Sequence, residues 1–147
     1  MTRLLNYENL LKVVTDRLLG ARIPGITAEN ILLPGVSSTL PDPLSIELSI
    51  GPGESSAVCE TMTSHSIRVN IIPGTPLSGG EVARKMIFDL SARIADLFDP
   101  LVRDKRIMYD KLGNRICIDS TDQRGPDVDG IRFRVNVRLT ARVEIRR

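Results

Sequence analysis

The chain of 147 residues has few of the residues on which most catalytic and redox sites depend. It contains one histidine, two cysteines and no tryptophan, and aromatic residues make up 3% of it. Ser-His-Asp catalysis needs a histidine base, but His65 stands alone in a segment that we predict to be a flexible loop. A structural zinc site needs about four histidine or cysteine ligands. The sequence therefore predicts a protein that is not an enzyme, with no metal site and no cofactor.

Other absences limit where the protein can act. No apolar run approaches the roughly 18 residues that span a bilayer, which predicts no membrane association. The N-terminus lacks the apolar stretch and cleavage site of a signal peptide, which predicts synthesis in the cytoplasm. Cys59 and Cys117 lie in different segments, and a cytosolic location favours two reduced thiols over a disulfide.

Two patterns resemble binding motifs without matching one. The glycine-rich stretch "GPGESS" precedes no helix and carries no lysine, so it is neither a P-loop nor a dinucleotide fingerprint. Four aspartates could in principle hold a hard cation, but their spacing is not that of an EF-hand and Gly-Pro and Asp-Gly pairs lie among them. We interpret these aspartates as solvated turn residues: Asp119, Asp122, Asp127 and Asp129.

Length and hydrophobic patterning predict one α+β domain over residues 1–147. Apolar and polar residues alternate at 44–50 and at 66–72, which predicts two strands paired as an antiparallel hairpin. The residues between them, 51–65, are too many for a tight turn and predict an extended hairpin arm. The proline-rich segment 21–43 predicts an extended connection of a length that suggests a functional or partner-bound role.

Two helices are predicted. The first follows Asn6 as N-cap and ends at Gly20. The second begins at a capping box formed by Ser78 and Glu81 and ends before Pro100. The expected fold is an antiparallel sheet of four to five strands with both helices packed on one face. The apolar stripe that packs the second helix on the sheet is expected to comprise Val82, Met86, Ile87, Leu90, Ile94, Leu97 and Phe98.

The C-terminal residues carry the most informative pattern. Strict alternation at 132–146 predicts one long strand with an apolar face and an opposite face that carries arginines. Residues 131–147 hold six arginines and one glutamate, whereas the whole chain has a net charge of +2. The positive charge is therefore concentrated in this strand. Its regularly spaced arginines are Arg132, Arg134, Arg138, Arg142 and Arg146.

Three interpretations of this row of arginines remain open. It can be a solvated outer face, a contact surface for another subunit where arginine forms bidentate pairs, or a site that contacts phosphates. Sheets that bind single-stranded nucleic acid stack bases on exposed aromatic side chains. No aromatic residue lies among these arginines on the strand. Base stacking is therefore disfavoured, but attraction of a phosphate backbone stays open.

The order of the predicted elements resembles that of a known family. An N-terminal helix, a proline-rich stretch with "LPDP", an apolar strand, the strand "SIRVNI", the helix "EVARKMIFDLSARIADL" and the late "GPDVDGIRFRVNVRLTARV" follow one another. Together they resemble the tail terminator or tail-completion proteins of long-tailed bacteriophages, often called minor capsid proteins. The closest points are the helix after "SIRVNI" and the stretch "DVDGIRFRVNVRL", in which an acidic residue and a glycine precede the final strand.

The resemblance implies a small subunit that forms a ring, typically of six copies, at the head-proximal end of the tail. Such a ring ends polymerisation of the tail tube protein and contacts the head connector or stopper protein, and genome DNA passes transiently through its lumen. The implied location is the neck of the virion, after synthesis in the host cytoplasm. The alternatives are another neck or connector protein and a stand-alone nucleic-acid-binding α+β domain.

We predict that the arginines turn away from the helices and contact acidic groups in the assembly. Residues two apart on a strand are about 6.5 Å apart, so Arg134, Arg138 and Arg142 belong to a ladder of like charges that repel unless screened or paired. A neighbouring subunit is the preferred partner. DNA has to slide through such a ring, and a tightly basic wall would hold its phosphates.

Overall fold

A computed structural model describes residues 5–34, 44–51, 54–59 and 62–146, with the backbone alone for 54–59. None of the helices within these ranges is long and apolar enough to span a membrane. The described elements, in chain order, are α1 (Tyr7–Gly20), β1 (Ile31–Leu32), β2 (Ser45–Ile50), β3 (Glu54–Cys59), β4 (Met62–Pro76), α2 (Gly80–Leu97), α3 (Arg103–Arg106), β5 (Ile107–Tyr109), β6 (Arg115–Asp129) and β7 (Arg132–Arg146).

The strands form one sheet in the order β1-β2-β4-β7-β6-β5, and β3 pairs with β4 outside this path. β1 runs parallel to β2, and the other pairs are antiparallel. The α+β class is confirmed, but four to five strands was wrong, because six follow one another across the described sheet. The six include β1, a two-residue strand within the segment expected to be an extended connection, which is too short to show a hydrophobic period.

The antiparallel pairing of the two predicted central strands is confirmed, since Ile46 lies opposite Pro73 and Ile50 opposite Val69. β4 begins earlier than its apolar alternation suggests. His65 therefore lies inside this strand, buried and opposite Val143 of β7, and the expectation of a flexible loop there was wrong. Residues 35–43, within the predicted connection, and 52–53 and 60–61, within the predicted arm, lie outside the described residues.

β6 continues through the stretch that was expected to be a turn. It pairs with β7 as far as Asp129, and its register shifts between Ile118 and Ser120 and again between Arg124 and Asp127. The second shift contains the Gly-Pro pair that suggested a turn. A β-bulge can accommodate residues that a regular ladder excludes, so these residues interrupt the strand without ending it.

Both main helices cover one face of the sheet, as expected. α2 buries Ile87, Leu90 and Ile94, and the Phe88 ring meets the Phe133 ring of β7 edge to face with centroids 5.5 Å apart. α1 buries its own apolar side chains in the same core cluster: Leu10, Leu11, Val14 and Leu18. The core therefore lies between the helices and the inward-facing residues of the strands.

The predicted N-terminal cap is confirmed for α1 but not for α2. The Asn6 side chain accepts hydrogen bonds from two backbone N–H groups of the first turn of α1, so this N-cap is confirmed. The capping box was wrong. Ser78 lies in a 3-10 turn, Leu77–Gly79, and α2 starts at Gly80 with no side-chain cap. Because the helix begins after this extra turn, Gly79 is the N-cap, and Ser78 and Glu81 each lie one position too early for reciprocal capping.

The predicted stripe of α2 is only partly buried. Ile87, Leu90, Ile94 and Phe98 are core residues, but Val82 is 82% exposed and Met86 is 37% exposed. At about 100° per residue, Val82 lies about 140° around the helix from Ile87, which turns it away from the sheet. The inclusion of these two outer residues in the core was therefore wrong.

Leu90→Ala should lower the free energy of unfolding by about 2 to 5 kcal/mol, because it removes buried methyl groups and leaves a cavity. Urea denaturation measures this value. Val82→Ala in the same helix is the matched control and should change stability by less than about 0.5 kcal/mol. Equal losses for the two variants would contradict the orientation of α2.

Arg17 ties α1 to the elements that follow α2. Its Nη1 donates to the Leu97 carbonyl oxygen at 3.2 Å and also to the Lys105 carbonyl oxygen. The guanidinium lies 5.4 Å from the centre of the Phe98 ring, a cation–π arrangement. Burial lowers the pKa of Arg17 from its ordinary value, yet an arginine stays charged in proteins. One side chain thus joins the ends of three helices.

Arg17→Met should lower the free energy of unfolding by about 1.5 to 3 kcal/mol, since it keeps the apolar stem but deprives two carbonyl groups of a charged donor. Lys12→Met, on the exposed side of the same helix, removes only a surface ion pair and should stay within about 0.5 kcal/mol of the wild type. A loss for Arg17→Met no larger than that of Lys12→Met in urea denaturation would disprove the linking role.

Candidate functional site

The five predicted arginines of β7 lie on the side of the sheet opposite the helices. Phe133 meets Phe88 of α2, so the odd-numbered residues of β7 face the core and the even-numbered residues face away from it. We call this outer side the arginine face, comprising Arg132, Arg134, Arg138, Arg142 and Arg146 with their cross-strand neighbours on β4 and β6.

Arg134 is held by two carboxylates of β6. Its Nε donates to Asp127 Oδ1 at 3.0 Å, and its Nη1 lies 3.3 Å from Asp129 Oδ2. Burial lowers the pKa of Arg134, but the hydrogen bond to Asp127 and the charges of Asp127, Asp129 and Glu47 outweigh it and raise the pKa. The side chains of both aspartates are more than half exposed, so each ion pair contributes modestly to stability.

Arg142 forms a second pair near the other end of the strand. Its Nη2 lies 3.4 Å from Asp119 Oδ1. A hydrogen bond with the Cys117 side chain, followed by the charge of Asp119, raises the pKa of Arg142. Cys117 is a free, buried thiol beneath this arginine, in keeping with the expectation of a reduced cysteine. The Cys59 side chain lies outside the described residues.

Arg132 and Arg138 bond to uncharged groups of the neighbouring strands. Arg132 Nη2 donates to Ser45 Oγ at 2.7 Å and to the Gly74 carbonyl oxygen at 3.1 Å. Arg138 Nε lies 3.5 Å from Asn70 Oδ1, an oxygen that Asn136 Nδ2 approaches to 3.2 Å. These bonds join the start of β7 to β2 and β4, and the middle of β7 to β4.

The last arginine of the row lies at the end of the ladder. Arg146 is exposed and lies opposite Met62, the first residue of β4. The structure therefore brings all five arginines onto one face, but their surroundings differ along it. Arg134 and Arg142 lie near carboxylates, Arg132 and Arg138 donate to uncharged groups among their contacts, and Arg142 and Arg146 are exposed.

Sequence reasoning missed that the aspartates flank the arginine row. The register sets Asp129 opposite Arg132, Asp127 opposite Arg134 and Asp122 opposite Arg138. Part of the signal was present: counting back from the turn at Gly130 along a two-stranded hairpin gives the first two pairs, whereas the pair of Asp122 with Arg138 depends on the register shift between Arg124 and Asp127. The surface around β7 therefore carries both positive and negative charges, because β6 supplies a row of carboxylates beside the row of arginines.

Three of the four aspartates pair with arginines of β7. Asp119, Asp127 and Asp129 each lie within ion-pair distance of an arginine. Within the described part of the chain, no group of three or more histidine, cysteine, aspartate or glutamate side chains could hold a metal ion. The chemistry of the arginine face is therefore that of directional hydrogen bonds and ion pairs.

Arg138→Glu should cost up to about 1 kcal/mol of stability, because it sets a second carboxylate beside Asp122. Adding Asp122→Arg restores opposite charges across the strands and should recover most of that loss in urea denaturation. Arg68→Glu, also on this face but opposite Thr140, is the control and should cost less. A charge-swapped double variant no more stable than Arg138→Glu would contradict the register of β6 on β7.

Comparison with known proteins supports the fold. No protein-family model matches the chain, and no curated protein matches it. Five solved chains match its structure. One of them, a protein without a functional name, has a TM-score of 0.58 and 15% sequence identity over 95% of this chain and 96% of that chain. At this identity the likeness shows that the two chains share a fold and nothing about function.

Proposed function

We propose that the protein is a virion structural protein of a long-tailed bacteriophage, a tail terminator. In this role it forms a ring, of six copies by the resemblance, at the head-proximal end of the tail. The ring ends polymerisation of the tail tube and joins the tail to the head connector. The proposal starts from the order of the elements and from the segments "SIRVNI" and "DVDGIRFRVNVRL".

The observation that carries the proposal is the open, mixed-charge arginine face. The described helices lie on the opposite side of the sheet, so none of them covers this face. Arg134 uses one oxygen each of Asp127 and Asp129, which leaves the second oxygen of each carboxylate for a donor on a neighbour. Arginine and carboxylate groups in fixed rows give a subunit contact its register and specificity.

A neighbouring subunit fits this face better than DNA does. The carboxylates of β6 lie beside the arginines, and they repel the phosphates that the arginines attract. Phosphate binding depends on a surplus of positive charge along the contact. A face on which positive and negative charges alternate supports a protein–protein contact. If the face instead lined the ring lumen, its carboxylates would prevent tight binding of DNA.

The proposal is tested by tail assembly in an extract that lacks this protein. Wild-type protein should restore tails of defined length that join to heads. Arg138→Glu should block ring formation or tail joining while the monomer stays folded, because it reverses a charge at the middle of the arginine face. Native mass spectrometry of the purified protein measures ring formation, and negative-stain images of the tails show whether they have a defined length and join to heads.

Two controls separate assembly from folding. The double variant Asp122→Arg with Arg138→Glu restores the pairing within the subunit but keeps the altered surface, so it should still fail to assemble. Arg93→Glu makes the same charge reversal on the exposed side of α2 and should assemble normally. If Arg138→Glu assembled normal tails at low and moderate salt, the arginine face would be a solvated surface and not a subunit contact. A wild-type monomer that binds oligonucleotides would favour the nucleic-acid-binding alternative.

A further inference from the structure

An exposed apolar patch lies where β6 turns into β7. Leu77 N–H donates to the Ile131 carbonyl oxygen at 2.7 Å, and Val128 lies opposite Phe133, whose ring meets Phe88. We call Leu77, Phe88, Val128 and Ile131 the hairpin-tip patch. Ile131 is 78% exposed and Val128 57% exposed. Single exposed apolar side chains are ordinary, but a cluster of four is typical of an interaction site.

The strand that carries this patch is poorly covered in the described structure. β5 pairs only with Arg115, Ile116 and Cys117, so β7 is the one described strand that pairs with the rest of β6. Thr121 and Gln123 bond to Phe98 and Ser91, but every residue from 122 to 131 is exposed. The β6 side of the hairpin tip therefore lies at an edge of the described sheet, and its apolar side chains are exposed there.

A second exposed apolar patch lies on the edge of the sheet formed by β5 and its adjoining turns. We call Leu101, Val102, Tyr109 and Leu112 the β5-edge patch, and Leu101 is 92% exposed. Basic side chains surround it in the sequence and are also exposed: Arg103, Arg106, Lys111 and Arg115. The sign of this charge is opposite to that of Asp127 and Asp129 at the hairpin tip.

The two patches lie too far apart to cover each other within one subunit. Val128 pairs with Phe133 near the start of β7, whereas Arg115, the partner of Tyr109, pairs with Glu144 near its end. Eleven residues of β7 separate these positions, about 36 Å at 3.3 Å per residue. The two patches therefore need contacts from outside the subunit to be covered.

We propose that the hairpin-tip patch of one subunit packs on the β5-edge patch of a second copy of the chain. A contact between unlike patches uses both patches of every subunit, whereas a contact between like patches leaves one patch of each subunit exposed. The second oxygens of Asp127 and Asp129 then meet the basic side chains of the β5 edge. Such contacts form a two-fold dimer if they are reciprocal and a ring if they run head to tail with a rotation that closes. The ring of the proposed function, on which this inference rests, requires the head-to-tail form.

The test uses two variants of the full chain, each defective in one patch. A tip variant carries Val128→Lys and Ile131→Lys, and an edge variant carries Leu101→Lys and Leu112→Lys. Each change removes apolar contact and adds a charge at the contact, so each variant alone should be monomeric, with self-association weakened at least about 30-fold. Mixed in equal amounts, they should form a dimer of one copy each and nothing larger, because only one intact tip and one intact edge remain.

Native mass spectrometry of the separate and mixed variants reads out the result. Leu33→Lys is the matched control, since Leu33 is exposed beside β1, at the end of the strand order opposite to β5, and belongs to neither patch, and it should assemble as the wild type does. Thermal unfolding confirms that each variant is folded. Dimers of either variant alone would indicate a contact between like patches, and both that result and full-size oligomers of both variants would overturn the proposal.

The outcomes also separate this inference from the proposed function. A wild-type protein that stays monomeric at its highest attainable concentration, with no association in the mixture, overturns the head-to-tail contact. If the mixed variants form the expected dimer but wild-type protein does not restore tails in the extract, the contact stands and the tail terminator role fails. If wild-type protein restores tails and both variants do so too, the role stands and the contact fails.

Discussion

β7 pairs along nearly its whole length with β4 on one side and with β6 on the other. Because side chains alternate across a strand, this double register decides which residues enter the core and which face outward. A slip of one residue would move Arg134 and Arg138 beneath the helices and expose the apolar set from Phe133 to Ile145. The burial of unpaired guanidinium groups makes such a slip very costly, so the alternation in this one strand fixes the position of both neighbours.

The same register explains why the last strand is strongly basic in the sequence whereas the surface around it in the fold carries both signs of charge. The last strand is strongly basic in the sequence, but the hairpin brings the aspartates of β6 beside it, and Arg134 and Arg142 pair with them. A basic strand in a sequence is therefore weak evidence for a phosphate site when the preceding strand of the hairpin is acidic. The mixed pattern that results favours recognition by another protein surface with its own ordered charges.

The elements that could be predicted from the sequence are those with a long, clean period or a local cap. The alternation at 132–146 gave both faces of β7, and Asn6 gave the start of α1. Val82 and Met86 could not be separated from Leu90 because the helical period does not say how a helix is rotated on its sheet. The continuation of β6 through 121–129 was missed because glycine, proline and aspartate are common both in turns and in irregular edge strands, and only the partner strand distinguishes them. The arginines of the candidate site were evident in the sequence, but most of their carboxylate partners depended on that missed part of the strand.

The uncovered outer side of β6 has a consequence for the fate of the subunit before it meets a partner. A strand with unpaired backbone groups is a template for indiscriminate sheet growth, which leads to aggregation. Between 119 and 129 that strand carries four aspartates, an arginine, a proline and two register shifts. Charges, proline and bulges are the features by which proteins block edge-to-edge growth. The residues that resemble a turn in the sequence thus discourage non-specific pairing of this edge strand with other chains. The exposed apolar side chains at the hairpin tip remain accessible to a specific partner.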